Sequence, residues 1–117
     1  MNLKIPTNSK HYYRYVIELL SVFPPFNQMR TREKLLFSEI LYYNDLYKDL
    51  SEEDRMELIF SQNNKKKMMT TMGVKRANFY SLMTRLRTLG FLDDNKINPR
   101  YIFKNGESIN IKFEINE

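Results

Sequence analysis

"MTTMGVKRANFYSLMTRLRTLGFL", residues 69–92, is the stretch on which the fold turns. It reads as two helices meeting at Gly73, the longer one closed by a second glycine, Gly90. A tight helix pair needs a glycine at the turn, an apolar plug behind it and apolar residues tying both helices to one core. Met68, Met69 and Met72 precede Gly73, and Val74 is the plug. Phe79, Leu82, Met83, Leu86 and Leu89 follow at i, i+3, i+4, i+7 and i+10, the spacing of one buried helix face.

Working outward, the longer helix is predicted over about Arg76–Leu89. The shorter one runs from Asn64 or Lys65 to Met72, with "SQNN" (61–64) as the break before it. Upstream, Tyr12, Tyr15, Val16, Leu19, Leu20 and Phe23 recur at helical spacing. They predict a first helix from Ser9 to Val22, ended by Pro24-Pro25. A second helix starts at Thr31 as N-cap, carries Leu35, Leu36, Ile40, Leu41 and Tyr43, and weakens near Asn44. Ser51 caps a third, whose first turn holds Glu52, Glu53 and Asp54 at the positive end of the helix dipole and which buries Met56, Ile59 and Phe60.

Downstream the period changes to two. "SINIKFEI" (108–115) sets Ile109, Ile111, Phe113 and Ile115 on one face and Asn110, Lys112 and Glu114 on the other, as a half-buried strand requires. Asn105-Gly106 is a strong hairpin turn, and Phe91-Leu92 suggests a short strand. The expected fold is mainly α with a C-terminal β-hairpin. It forms one domain over 1–117: N-terminal helices in 1–63, a helix-turn-helix in 64–92 and a hairpin in 93–117.

That order resembles the winged helix-turn-helix family of bacterial, phage and plasmid origin. Met68 stands at the usual leucine, Met72 and Gly73 at the leucine-glycine pair, Val74 at the turn valine and Leu86 at the core leucine. Gly90-Phe91-Leu92 matches the exit into the wing, and "KINPRYIFKNGE" (96–107) is similar to the wing of some plasmid replication initiators. Met69 departs from the pattern, which usually holds alanine there, and implies looser packing or an altered crossing angle. The resemblance implies a DNA-binding transcription regulator or replication initiator. The alternative is a structural or interaction subunit of a phage virion or connector-type assembly that uses the same fold.

Composition sets the outer bounds. A chain of 117 residues with 42% hydrophobic and 28% charged residues is long enough to bury a core, and with no cysteine it makes no disulfide or thiolate metal site. No apolar run has the length of a membrane span, and the polar start "MNLKIPTNSKHYY" does not read as a signal peptide. The expectation is a cytoplasmic protein, or a virion component if the structural alternative holds, without a membrane partner. The net charge of +5 is unevenly placed. Residues 61–106 hold ten Lys and Arg against Asp93 and Asp94, a balance of +8, so the remainder of the chain carries −3.

If Phe79, Leu82 and Leu86 face the core, a turn of about 100° per residue puts Ala77, Ser81, Thr84 and Thr88 opposite. Asn78 and Arg85 flank that face on one side; Arg76, Tyr80 and Arg87 flank it on the other. Small polar residues edged by longer donors suit a DNA major groove, where arginine pairs with guanine and asparagine with adenine. Arg76, Asn78 and Ser81, in the N-terminal half, are the expected base contacts. Lys75, Thr84 and Arg85 lie closer to phosphates, Lys65, Lys66 and Lys67 lead the preceding helix, and Arg100 and Lys104 sit on the hairpin. For any one of these residues taken singly, solvated surface is the better explanation; as a set on a helix-turn-helix they favour nucleic acid.

Other constellations are poorer. His11 is the single histidine, with no cysteine or acid cluster placed to share a metal. No phosphate loop, nucleophile–base pair or paired acid and base is visible, so neither an enzyme nor a cofactor is expected. Tyr12, Tyr13, Tyr15, Tyr42, Tyr43 and Tyr47 crowd the two N-terminal helices, more aromatic surface than a small core readily hides. That surplus predicts self-association or a protein partner at the Tyr/Phe-rich N-terminal helices.

Overall fold

The computed structural model describes residues 7–103. Five helices and a two-stranded antiparallel sheet follow one another: α1 (Ser9–Leu20), α2 (Thr31–Leu46), α3 (Glu52–Ile59), α4 (Gln62–Met72), α5 (Arg76–Thr88), β1 (Leu92–Asp93) and β2 (Lys96–Ile97). Short 3-10 turns occupy Phe26–Gln28 and Pro99–Tyr101. The mainly helical expectation holds, and α2 is its hub, packed against α1, α3, α4 and α5.

The core follows from the apolar stripes. Leu36, Phe37, Ile40 and Leu41 of α2 are buried and meet Tyr13, Val16, Ile17 and Leu20 of α1 on one flank. Phe79, Met83 and Leu86 of α5 are buried with them, as is Met68 of α4. Phe91, just past α5, is fully buried with its ring 5.0 Å from Phe37, 5.2 Å from Phe26 and 4.9 Å from Tyr101. That aromatic cluster anchors the end of α5 to α2 and to the 3-10 turns. Leu82, expected at the centre of the α5 stripe, is half-buried at its margin, because Met83 takes the central place.

Helix ends explain most differences from expectation. The first helix stops at Leu20, with the Ser21 hydroxyl donating to the Ile17 carbonyl at 2.8 Å, and Asn8 caps its start by accepting from the His11 N–H at 2.9 Å. Thr31 is the first residue of α2 and Arg30 its N-cap, because Glu33 reaches back to accept the Arg30 N–H at 3.4 Å. Ser51 caps α3 as expected, accepting from the Asp54 N–H at 3.2 Å. "SQNN" is the cap and first turn of α4, beginning two residues before the expected Asn64. Ser61 accepts the Asn64 N–H at 3.3 Å, and the Asn64 amide donates to the Leu58 carbonyl at 2.7 Å and the Tyr47 hydroxyl at 3.0 Å. Lys65–Lys67 therefore lie past the first turn, where their charges oppose the helix dipole less.

Both glycines of the opening stretch end helices in the left-handed region, Gly73 at φ +66° and Gly90 at φ +87°. The same pair of bonds closes each end: Val74 N–H to Met69 carbonyl and Gly73 N–H to Thr70 carbonyl, then Phe91 N–H to Leu86 carbonyl and Gly90 N–H to Arg87 carbonyl. The residue after each glycine, Val74 or Phe91, is buried and pins the exit of its helix.

The hairpin pairs Leu92 with Ile97 and Asp93 with Lys96 around Asp94-Asn95, Asp94 adopting φ +53°. It comes earlier and is shorter than the hairpin expected at Asn105-Gly106, which lies, with "SINIKFEI", outside the described residues. Leu92 and Ile97 face inward and Asp93 and Lys96 outward. Asn98 returns the chain to α5, donating through its side chain to the Gly90 carbonyl at 2.9 Å.

Candidate nucleic-acid interface

The outward face of α5 is the one the helical period predicts. Ala77, Asn78, Ser81, Thr84 and Thr88 are exposed, opposite buried Phe79, Met83 and Leu86. Neither α4 nor α5 contains an acidic residue, so this face carries no carboxylate of its own helix pair. The threonine hydroxyls are partly taken up by their own helix: Thr84 donates to the Tyr80 carbonyl and Thr88 to the Thr84 carbonyl, each at 3.0 Å. Asn78 and Ser81 remain as the small polar groups projecting outward from the N-terminal half.

The arginines divide sharply. Arg85 Nε donates to Glu33 Oε1 at 3.3 Å, tying α5 to a carboxylate buried on α2. Arg85, expected near a phosphate, is engaged through Nε in this pair and keeps 41% of its side chain exposed. Arg87 Nε donates to the Asp94 carbonyl at 3.2 Å and holds the hairpin turn. Arg76 is exposed at the first position of α5, its guanidinium 5.5 Å from the centre of the Tyr80 ring. It lies along its own helix, over the ring one turn further on.

The three consecutive lysines do not act as one patch. Lys66 and Lys67 are exposed on the outer side of α4 and line a shallow groove with Asn63, Thr70, Thr71 and Tyr43 of α2. Lys65 faces the opposite way, into the fold, with only 9% of its surface exposed. Its Nζ lies 5.2 Å from the centre of the same Tyr80 ring. Spacing carried a signal for this: Lys65, Met68, Met69 and Met72 fall at i, i+3, i+4 and i+7, so the lysine continues the apolar stripe. Lys75 is the exposed N-cap of α5, and no side chain caps that helix.

Arg100 belongs to the 3-10 turn after the hairpin, exposed, its guanidinium 6.0 Å from the Tyr101 ring centre. Lys104 lies outside the described residues. Asn95 and Lys96 of the hairpin line one side of an open depression whose other side carries Glu52, Glu53 and Glu57 of α3.

Burial also corrects the aromatic surplus. Tyr13 is buried, and Tyr12, Tyr42, Tyr43 and Tyr47 are half-buried against the core. Tyr15 is the exposed one of the six, joined by Leu19 on the side of α1 opposite its buried face and by Val22 in the turn just past its end, at 50%, 66% and 74% exposure.

No family model, curated protein or solved structure matches the chain. Among the described residues no helix is long and apolar enough to cross a membrane, and no cluster of His, Cys, Asp and Glu is placed to hold a metal.

Proposed function

We propose that the protein is a DNA-binding protein of the winged helix-turn-helix kind, a transcription regulator or replication initiator, with α5 as its recognition helix. The observation that carries this reading is the outward face of α5. Its small, uncharged side chains Ala77, Asn78 and Ser81 stand on a helix pair without a single acid and beside Lys75 and Arg76. A face of that shape fits a groove about 12 Å wide, and its flanking cations suit the phosphate walls. The Gly73 turn and the hairpin after Gly90 support the winged-helix reading. Fluorescence anisotropy with labelled duplex at two salt concentrations tests the proposal. Affinity must fall steeply with salt, and the absence of binding at micromolar protein and low salt sinks it.

The protein acts as a dimer in this reading, through the stripe of Tyr15 and Leu19 on α1 and Val22 just past its end. Two-fold pairs read two half-sites about one helical turn apart, and a stripe without charge is a face on which two cationic chains meet at little electrostatic cost. The same stripe also supports the structural alternative, a virion or connector-type subunit. Sedimentation separates them, because a dimer favours the regulator and a ring the virion assembly.

A further inference from the structure

The α5 face leaves Lys66 and Lys67 unused. Both are exposed on α4, and with Asn63, Thr70, Thr71 and Tyr43 of α2 they line a shallow, open groove of about 450 Å³. No residue of α5 lines this groove, so it is a surface separate from the proposed recognition face. None of its lining residues is acidic, and among the described residues neither lysine has an ion-pair partner. The Thr70 hydroxyl is taken up by the Lys66 carbonyl at 3.0 Å. The side chains of Asn63 and Thr71 make no hydrogen bond among the described residues.

The aromatic wall is braced. The Tyr43 ring is half-buried and stacks on Tyr47, with centroids 6.1 Å apart and planes 22° apart, and meets Tyr42 edge-on at 5.7 Å. Tyr47 in turn accepts a hydrogen bond at 3.0 Å from the buried side chain of Asn64, the neighbour of Asn63. The same Asn64 amide donates to the Leu58 carbonyl at 2.7 Å. One buried amide therefore ties the tyrosine stack of α2 to the first turn of α4, and the groove exists before anything enters it.

We infer that this groove between α2 and α4 binds single-stranded nucleic acid. Such sites combine cations that follow the backbone with an aromatic side chain against which a base packs. Lys66 and Lys67 meet successive phosphates, Asn63 and Thr71 supply uncharged hydrogen-bonding groups, and Tyr43 meets a base. A duplex keeps its bases stacked inside and offers this wall only phosphates; a single strand offers both groups at once. The inference goes beyond the reading of α5 and does not depend on it.

The test uses the full chain and an end-labelled oligothymidylate of about 12 nucleotides, within the ~4–16 nucleotide footprint of single-strand grooves. Anisotropy is expected to show binding by the wild type and by the double variant Lys10→Gln, Lys96→Gln, which removes two exposed charges elsewhere. The double variant Lys66→Gln, Lys67→Gln is expected to bind about tenfold more weakly. Its salt slope should be shallower by about 1.4, two phosphates at ~0.7 each. Its amide spectrum checks the fold. An abasic strand of equal length is expected to bind the wild type about tenfold more weakly, and only the strand with bases should move the Tyr43 ring-proton signals.

Equal weakening by the two double variants overturns the groove as the site. Equal affinity for the abasic strand, or an acidic peptide of equal charge that competes as well as oligothymidylate, overturns the ligand class. A ratio of single-strand to duplex affinity that does not fall in the α4 double variant assigns the lysines to a duplex and overturns the inference. A strand bound through the groove by a chain that binds no duplex upholds this site and overturns the reading of α5 instead.

Discussion

The guanidinium of Arg85, in the C-terminal half of α5, donates at 3.3 Å to the carboxylate of Glu33, buried in the first turn of α2. The two residues are 52 positions apart. The pair ties α5 to α2 alongside the buried stripe Phe79, Met83 and Leu86. Arg85→Ala leaves Glu33 buried without its partner. The expected loss is about 2 kcal/mol, less than the ~3–5 kcal/mol of a wholly buried pair because the arginine is partly solvated. Urea denaturation measures it. Glu33→Gln together with Arg85→Leu removes the charge and keeps an acceptor for the Arg30 N–H, and should recover most of the loss; a double variant as unstable as Arg85→Ala would argue against a stranded carboxylate as the cause.

If α5 reads bases, Asn78→Ala should cost about 1–3 kcal/mol on the preferred sequence and relax base preference at one position. Anisotropy on a set of singly substituted duplexes distinguishes this from a uniform weakening, which would mean that Asn78 meets phosphate alone.

Gly73 holds φ +66°, and a methyl group on its Cα would have no neighbour within 4 Å, so its replacement meets strain and no clash. Gly73→Ala should therefore lower stability by about 1–2 kcal/mol, the cost of a left-handed L-residue, and Gly73→Asn by less. Thermal or urea unfolding checks the order; equal stability of all three proteins would contradict the turn as described.

Burial first, then the Glu39 carboxylate, then Tyr47 and Tyr42, raise the Tyr43 phenol above its ordinary 10.0. The folded chain thus keeps this proton to higher pH than the unfolded chain does. The stability tied to it is complete below pH 10 and is lost as pH rises through the folded-state value. Stability measured from pH 9 upward should fall less steeply in Tyr43→Phe than in the wild type. Identical alkaline profiles would remove Tyr43 as the source.

Leu19, two-thirds exposed between Tyr15 and Val22, is the centre of the α1 stripe. Leu19→Glu should convert a dimer to monomer in sedimentation, with little change in helix content, because the side chain leaves no core contact behind. A wild-type chain that sediments as a monomer, or a variant that remains dimeric, rules out this face as the dimer surface.

The sequence by itself determined what depends on neighbours along the chain. Gly73 and Gly90 were legible as helix ends because φ above zero costs an L-residue and spares glycine. Ser51 was legible as a cap, and Phe79 and Leu86 as part of a buried stripe with Ala77, Ser81, Thr84 and Thr88 opposite, because the stripe follows from the 3.6-residue turn. The tertiary structure alone decided what depends on which helix lies across the gap. Arg85 paired with Glu33, Arg87 turned to the hairpin, and of the crowded tyrosines Tyr13 went into the core while Tyr12, Tyr42, Tyr43 and Tyr47 packed half-buried against it. Lys65 parted from Lys66 and Lys67 because successive residues on a helix point about 100° apart, so a run in sequence is not a patch in space. Local geometry sets which way a side chain leaves its helix; packing of distant segments sets what it meets there.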